Sequence, residues 1–173
     1  KYVLKLAQAV QYAHARGTLH RDLKPSNILI DESNEPQITD FGLAKLILDD
    51  SGLTSTGARL GTPSYMSPEQ AAGESDNVGP AGDIYSLGSI LYELLTGRPP
   101  FRGTSVIQTL NMVVNQVPPP LRSLNPDIPR DLTNICLKCL QKRPTDRYAS
   151  AEDLANDLGK FINGHPVSAR PIG

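Results

Sequence analysis

Asp22, Lys24 and Asn27 lie close together in the run His20-Arg21-Asp22-Leu23-Lys24-Pro25-Ser26-Asn27, and Asp40-Phe41-Gly42 follows downstream. These side chains supply the groups that phosphoryl transfer needs beside a nucleophile. That reaction passes through a loose transition state, so positioning and charge neutralisation provide most of the catalysis. A carboxylate such as Asp22 orients an attacking hydroxyl and accepts its proton. The Lys24 ammonium suits a phosphate oxygen as a point charge. Asn27 and Asp40 offer hard oxygen ligands, and magnesium prefers a few of these plus phosphates over a full protein cage. Taken singly, each group is ordinary: an Asp before Leu-Lys-Pro is a loop residue or a cap, and an Asp-Phe-Gly is a turn. Their order carries the signal. Between them lie the apolar Ile28-Leu29-Ile30, the turn Asp31-Glu32-Ser33-Asn34-Glu35 and a second short strand through Ile38, a hairpin flanked by polar loops.

The pairing of H-R-D-L-x-x-x-N with a later D-F-G resembles the catalytic and magnesium-binding loops of serine/threonine protein kinases. The resemblance implies roles. Asp22 would be the base, Lys24 the cation on the transferred phosphate and a mark of serine/threonine preference, and Asn27 and Asp40 the Mg2+ ligands that also hold ATP. His20 would pack beneath the loop and orient it without transferring protons, and Phe41 and Gly42 would be structural. The stretch Gly61-Thr62-Pro63-Ser64-Tyr65-Met66-Ser67-Pro68-Glu69 resembles the substrate-facing loop ending in A-P-E, with Ser67 in place of the Ala. Thr62 would then hydrogen-bond near Asp22 and Lys24, and Glu69 would pair with the distant Arg147. Asp83, in a D-x-x-S-x-G pattern, would bond the catalytic-loop backbone.

From Leu43 to Leu60 the sequence is polar, contains glycines and shows no period, so it reads as a long loop. In the resembling family this interval is the activation loop, which added phosphate orders by pairing with arginine. Ser51, Thr54, Ser55 and Thr56 are the candidate acceptors, Thr54 and Thr56 favoured by position. Arg21 is the expected partner, its alternative being a structural ion pair with a carboxylate.

The elements that must position these groups follow from periodicity. Val3, Leu6, Ala7, Val10 and Ala13 recur at helical spacing up to Gly17, a left-handed cap. His14, near that helix end, reads as a surface or capping residue. Pro80 to Thr96 is apolar on almost every face through Ile84, Leu87, Ile90, Leu91, Leu94 and Leu95, which marks a buried helix. Gly97 closes it. Further helices are expected at Ser105 to Asn115, Asp131 to Gln141 and Ser150 to Asn163, separated by proline-rich connectors that need no partner of their own. Cys136 and Cys139 form a C-x-x-C on one helix face among apolar neighbours. Without a second pair to complete a zinc site they read as buried thiols.

The 173 residues suit one domain, and their net charge of −1 with mixed signs gives no footprint for nucleic acid or a membrane. The longest apolar stretch is too short to span a bilayer and contains Glu93. No G-x-G-x-x-G precedes the catalytic loop. The expectation is therefore a mainly α chain with a small β-hairpin region, the C-terminal lobe of the α+β kinase fold with its N-terminal lobe absent. Residues 1–163 would form the lobe and 164–173 a tail leaving it. The resemblance, closest in character to bacterial kinases of eukaryotic type, implies transfer from ATP with Mg2+ to Ser/Thr hydroxyls of proteins in a bacterial cytoplasm, any membrane anchor lying outside this segment. Its rival is a pseudokinase, an interaction module that keeps the fold without the transfer.

Overall fold

The computed structural model describes residues 1–41, 63–74 and 78–171. Helix α1 (Tyr2–His14) leads through the 20–24 segment and a 3-10 turn at Pro25–Asn27 into strands β1 (Ile28–Ile30) and β2 (Pro36–Ile38). A 3-10 turn at Pro63–Tyr65 precedes the short α2 (Pro68–Ala71), and then come α3 (Pro80–Thr96), α4 (Val106–Asn115), α5 (Leu121–Leu124), α6 (Arg130–Cys139) and α7 (Ala151–Ile162). The architecture is mainly helical with one small antiparallel hairpin, in which Ile28 faces Ile38 and Ile30 faces Pro36. No helix among the described residues is long and apolar enough to cross a membrane.

Helix α3 is the post around which the others pack. Pro80 occupies its first turn, where a missing N–H costs nothing, and Gly97 ends it at φ 78°, a left-handed value suited to glycine. Gly82 through Tyr92 are buried without a break, so the helix needs no polar face over that length. The last turn differs from the expectation. Leu94 is 59% exposed, because the helix emerges from the core there and Leu95 alone packs back.

Three residues of α3 do separate positional work. Asp83 reaches the catalytic-loop segment, described below. Ser86 Oγ donates to the Tyr65 carbonyl at 2.8 Å, tying the turn before α2 to the post. Gly88 lets α6 approach: a Cβ built there would stand 2.4 Å from the Cys139 Cβ. Cys136 and Cys139 are consequently buried, free thiols, with Cys136 Sγ donating to the Gly88 carbonyl at 3.5 Å. Burial pushes the Cys139 thiol up to about 12, which leaves no reactive thiolate at neutral pH.

Val3, Leu6, Ala7 and Val10 form the buried stripe of α1, and the larger three each contribute roughly 1.5–3 kcal/mol by leaving water. The helix closes in a Schellman turn, with Thr18 N–H donating to the Ala13 carbonyl, Gly17 N–H donating to that of His14, and Gly17 at φ 73°. The hairpin is fastened to α1 through Tyr2 Oη donating to Asn34 Oδ1 at 2.6 Å and through a Lys5–Glu35 ion pair. At the other end, the segment after Gly164, expected to leave the domain, lies against it: Val167 and Ala169 are buried. Buried Asp157 holds them, accepting from Ser168 N at 2.6 Å, Ala169 N at 2.9 Å and Tyr148 Oη at 2.8 Å. Burial alone would raise that carboxyl, but these donors outweigh it and hold it below the ordinary carboxylate value.

Gly88→Ala is expected to lower stability by about 1–2 kcal/mol, since an overpacking cost of roughly 1–3 kcal/mol or more exceeds the gain of about 1 kcal/mol for Ala in a helix. Gly159→Ala, where an added Cβ meets nothing within 4 Å, is expected to raise stability instead. Urea unfolding of the two variants checks the contrast, and equal effects would contradict the packing account.

Candidate active site

The loop from His20 to Asn27 is built around its own backbone. Arg21 sits at φ 66°, a left-handed conformation that a non-glycine residue holds only when its surroundings impose it. Asp83 imposes it from the N–H side, with Oδ2 accepting from His20 N at 2.9 Å and Oδ1 from Arg21 N at 2.8 Å. Gln70 completes the grip by donating Nε2 to the Arg21 carbonyl at 2.7 Å, while its Oε1 accepts from Ser67 N at 3.0 Å. Gln70 was not among the sequence candidates. Its position three residues after Ser67, as in a capping box, was the available signal.

His14 requires a correction. Expected as a surface or capping residue, its side chain is only 7% exposed, and Nε2 lies 2.8 Å from Asp83 Oδ2. The final turn of α1 faces the start of α3, so the ring closes over the same carboxylate that holds the loop. Asp83 thus receives two backbone N–H groups and one imidazole.

His20 is fully buried. Its Nδ1 accepts from Asp22 N at 3.3 Å, so Nε2 carries the proton donated to the Thr39 carbonyl at 2.8 Å. The Phe41 ring meets it edge-on with centroids 4.8 Å apart. The histidine therefore bridges the catalytic-loop segment to the strand end that presents Asp40.

The polar cluster faces outward from this frame. Asp22 is 40% exposed and Lys24 19%, with Lys24 Nζ donating to Asp22 Oδ2 at 2.6 Å. Asn27, buried beneath them, donates Nδ2 to the Asp22 carbonyl at 2.8 Å and lies 3.4 Å from its Oδ2. Asn27 Oδ1 accepts no hydrogen bond among the described residues. Asp40, at φ 62°, presents Oδ2 to Thr39 Oγ1 at 3.2 Å. Asn27 and Asp40 are joined through backbone, because Thr39 N donates to the Asn27 carbonyl at 2.9 Å. Two hard-oxygen donors on adjoining strand ends suit magnesium, which takes its remaining ligands from phosphate and water.

Arg21 extends its guanidinium without an ion pair, so its alternative as a structural pair finds no carboxylate among the described residues. Gly42, Ser51, Thr54, Ser55, Thr56 and Thr62 lie outside the described residues.

Farther from the cluster, Glu69 and Arg147 make a two-pronged ion pair, both N–H···O contacts at 2.8 Å. The side chains are 5% and 0% exposed. Arg147 spends its other N–H groups on the carbonyls of Ala81, Gln141 and Lys142, so all five guanidinium donors are used. Burial pushes the Glu69 carboxyl up, yet the Arg147 hydrogen bonds and charge prevail and hold it below its ordinary value.

With this geometry described, comparison with known proteins is direct. The protein kinase domain family matches residues 1–158. The chain belongs to the protein kinase family. It is 41% identical over 170 residues to the serine/threonine-protein kinase PknB of Mycobacterium leprae, covering 98% of this chain and 27% of that protein. It is 42% identical over 166 residues to PknB of Mycobacterium tuberculosis, covering 95% and 26%. To a probable serine/threonine-protein kinase PknB of Bifidobacterium longum it is 41% identical over 170 residues, covering 96% and 24%. The chain thus spans about a quarter of the length of the curated relatives it matches.

Because the folded Glu69 value is depressed, the pair's contribution is fully present above the ordinary carboxylate value of 4.5 and is lost as pH falls through the folded one. Arg147→Met is expected to cost about 3–5 kcal/mol by leaving a buried carboxylate unpaired. A Glu69→Leu, Arg147→Met double variant should recover part of that loss and show a shallower fall in stability between about pH 5 and pH 3. Chemical denaturation across that range is the measurement, and an unchanged acid slope would show that the pair is not the titrating element.

Proposed function

We propose that residues 1–163 belong to the C-terminal lobe of a serine/threonine protein kinase that transfers the γ-phosphoryl group of ATP to protein hydroxyls. The convergence of outward-facing Asp22 and Lys24 over the buried Asn27, on a loop held from beneath, carries this reading. Asp22 is the base. The substrate hydroxyl oxygen attacks the γ-phosphorus, the bond to the bridging oxygen breaks, ADP leaves, and the hydroxyl proton passes to the Asp22 carboxylate.

Lys24 stands beside Asp22 and meets the transferred phosphoryl oxygens as they arrive, exchanging an internal ion pair for one that follows the reacting group. Asn27 fixes the Asp22 backbone with its amide N–H, and its Oδ1 and the Asp40 carboxylate would hold the metal. Bound magnesium would supply charge neutralisation on the phosphate oxygens. By the family resemblance, Thr62 would hydrogen-bond near Asp22 and Lys24, and Arg21 would receive phosphate on Thr54, Thr56, Ser51 or Ser55 of an activation loop. The glycine-rich loop and strand lysine that complete an ATP site belong to the smaller lobe.

The test is Asp22→Asn in the full-length protein. Turnover on a peptide is expected to fall at least a hundredfold, a loss on the order of that assigned to general base catalysis, while ATP affinity stays within about threefold, since the base acts mainly in the transition state. A variant that retained most of its turnover would remove Asp22 from the base role, and a wild-type protein that bound partners but transferred no phosphate would establish the pseudokinase instead.

The activation loop has a separate test. After incubation of the full-length protein with magnesium and ATP, mass mapping is expected to find phosphate on one or more of Ser51, Thr54, Ser55 and Thr56. Modification confined to residues outside Leu43 to Leu60 would contradict that role.

A further inference from the structure

A cavity of about 460 Å³ lies far along the chain from the Asp22 cluster, between α5, the first turn of α6 and the segment that follows α7. Three arginines line it: Arg122, Arg130 and Arg170. Among the described residues none of the three forms an ion pair. Among the described residues the sole hydrogen bond from any of these guanidinium groups is a long one, Arg122 Nη2 to the Pro126 carbonyl at 3.4 Å. One carboxylate, Asp131, shares the wall, so three positive charges against one leave an excess of about two. Helix α6 adds to it, because its N-cap is Pro129, which has no side-chain oxygen to cap the first N–H groups.

All three arginines are exposed, and like charges gathered around one hollow, with no carboxylate paired to them among the described residues, favour the entry of an anion. A phosphomonoester carries about −1.5 to −2 at neutral pH, which matches the excess, whereas a carboxylate would leave half of it. Guanidinium forks suit phosphate oxygens in paired hydrogen bonds. Thr133 and Asn134 supply further polar groups, and the wall from Pro166 to Pro171 supplies apolar surface. A hollow of this shape admits a phosphorylated side chain with the peptide beside it more readily than a flat bilayer surface. The hollow is also held in form, since buried Asp157 fixes the backbone at Ser168 and Ala169 immediately before Arg170.

We propose that Arg122, Arg130 and Arg170 form a binding site for phosphoserine or phosphothreonine in a protein partner. The inference rests on the kinase reading only for the source of such partners, which would be products of the same kind of reaction. A partner phosphorylated once would then be held on one face of the lobe while the Asp22 cluster remains open on another.

The experiment uses the full-length protein carrying Asp22→Asn, so that no probe is modified during measurement. Fluorescence anisotropy is recorded with a degenerate peptide pool bearing a fixed central phosphothreonine and with the same pool bearing threonine, each against inorganic phosphate as competitor. The phosphorylated pool is expected to bind at least about tenfold more tightly. Adding Arg130→Ala and Arg170→Ala together is expected to abolish that difference, with the far-ultraviolet circular dichroism and thermal midpoint unchanged. Arg130→Lys with Arg170→Lys should retain part of it, because charge survives but the fork does not. Equal binding of the two pools, or a preference that survives the double Ala change, would overturn the site. Arginine-dependent binding seen only with vesicles of phosphatidylcholine and phosphatidylserine would overturn it in favour of a membrane contact. Peptide transfer by the Arg130→Ala, Arg170→Ala variant of the otherwise wild-type chain is measured separately. Loss of the kinase reading leaves the anisotropy result standing, and the reverse also holds.

Discussion

A single carboxylate, Asp83, fixes the relation between the central helix and the loop that carries the polar cluster. Both of its oxygens are spent on backbone N–H groups of the loop, and one of them also meets His14. Such charge-assisted bonds to backbone are stronger than neutral ones, and here they hold Arg21 in a left-handed conformation that would otherwise relax. The strain matters because it sets the direction of the next residue, Asp22. Without the buried carboxylate the loop has no reason to turn its acid outward beside Lys24.

The rest of the molecule can be read as support for that contact. Helix α3 must be buried to carry a charge into the interior, and its own neighbours make this possible: α1 on one flank and α6 pressed close at Gly88 on the other. Gln70 approaches the same loop from α2, which is itself stationed by Glu69 on Arg147. His20 carries the order onward to Thr39 and the hairpin, so Asn27 and Asp40 are placed by the frame that places Asp22.

What could be read from residues alone were features with local grammar. Pro80 and Gly97 bracket α3 because one tolerates a missing donor and the other a left-handed turn, and both bounds fall where expected. The hairpin, the Schellman glycine and the buried Cys136 and Cys139 follow from alternation, chirality and apolar spacing in the same way. The long-range contacts of Glu69 with Arg147 and of Asp83 with the loop were expected only through the family resemblance, and what escaped were long-range contacts outside those motifs. Nothing near His14 announces a carboxylate 69 residues away, and Gln70 beside a loop 49 residues distant gives only the faint signal of its capping position. Helices α2 and α5, with four residues each, are shorter than the window over which a period can be seen. Leu94 misled because an apolar residue in a buried helix looks the same whether or not the last turn has left the core.

The Glu69–Arg147 pair joins residues 78 positions apart, and that separation bears on how the chain acquires and keeps its shape. Closing a loose segment carries an entropic cost, which favours the two charges desolvating together after α3 and α6 have docked. A clasp made that late would be absent from the folding barrier and present on the way out. Its strength would then be expressed in how slowly the native state comes apart rather than in how fast it assembles, which would make Arg147 a determinant of persistence for a fold that holds Arg21 in a left-handed conformation.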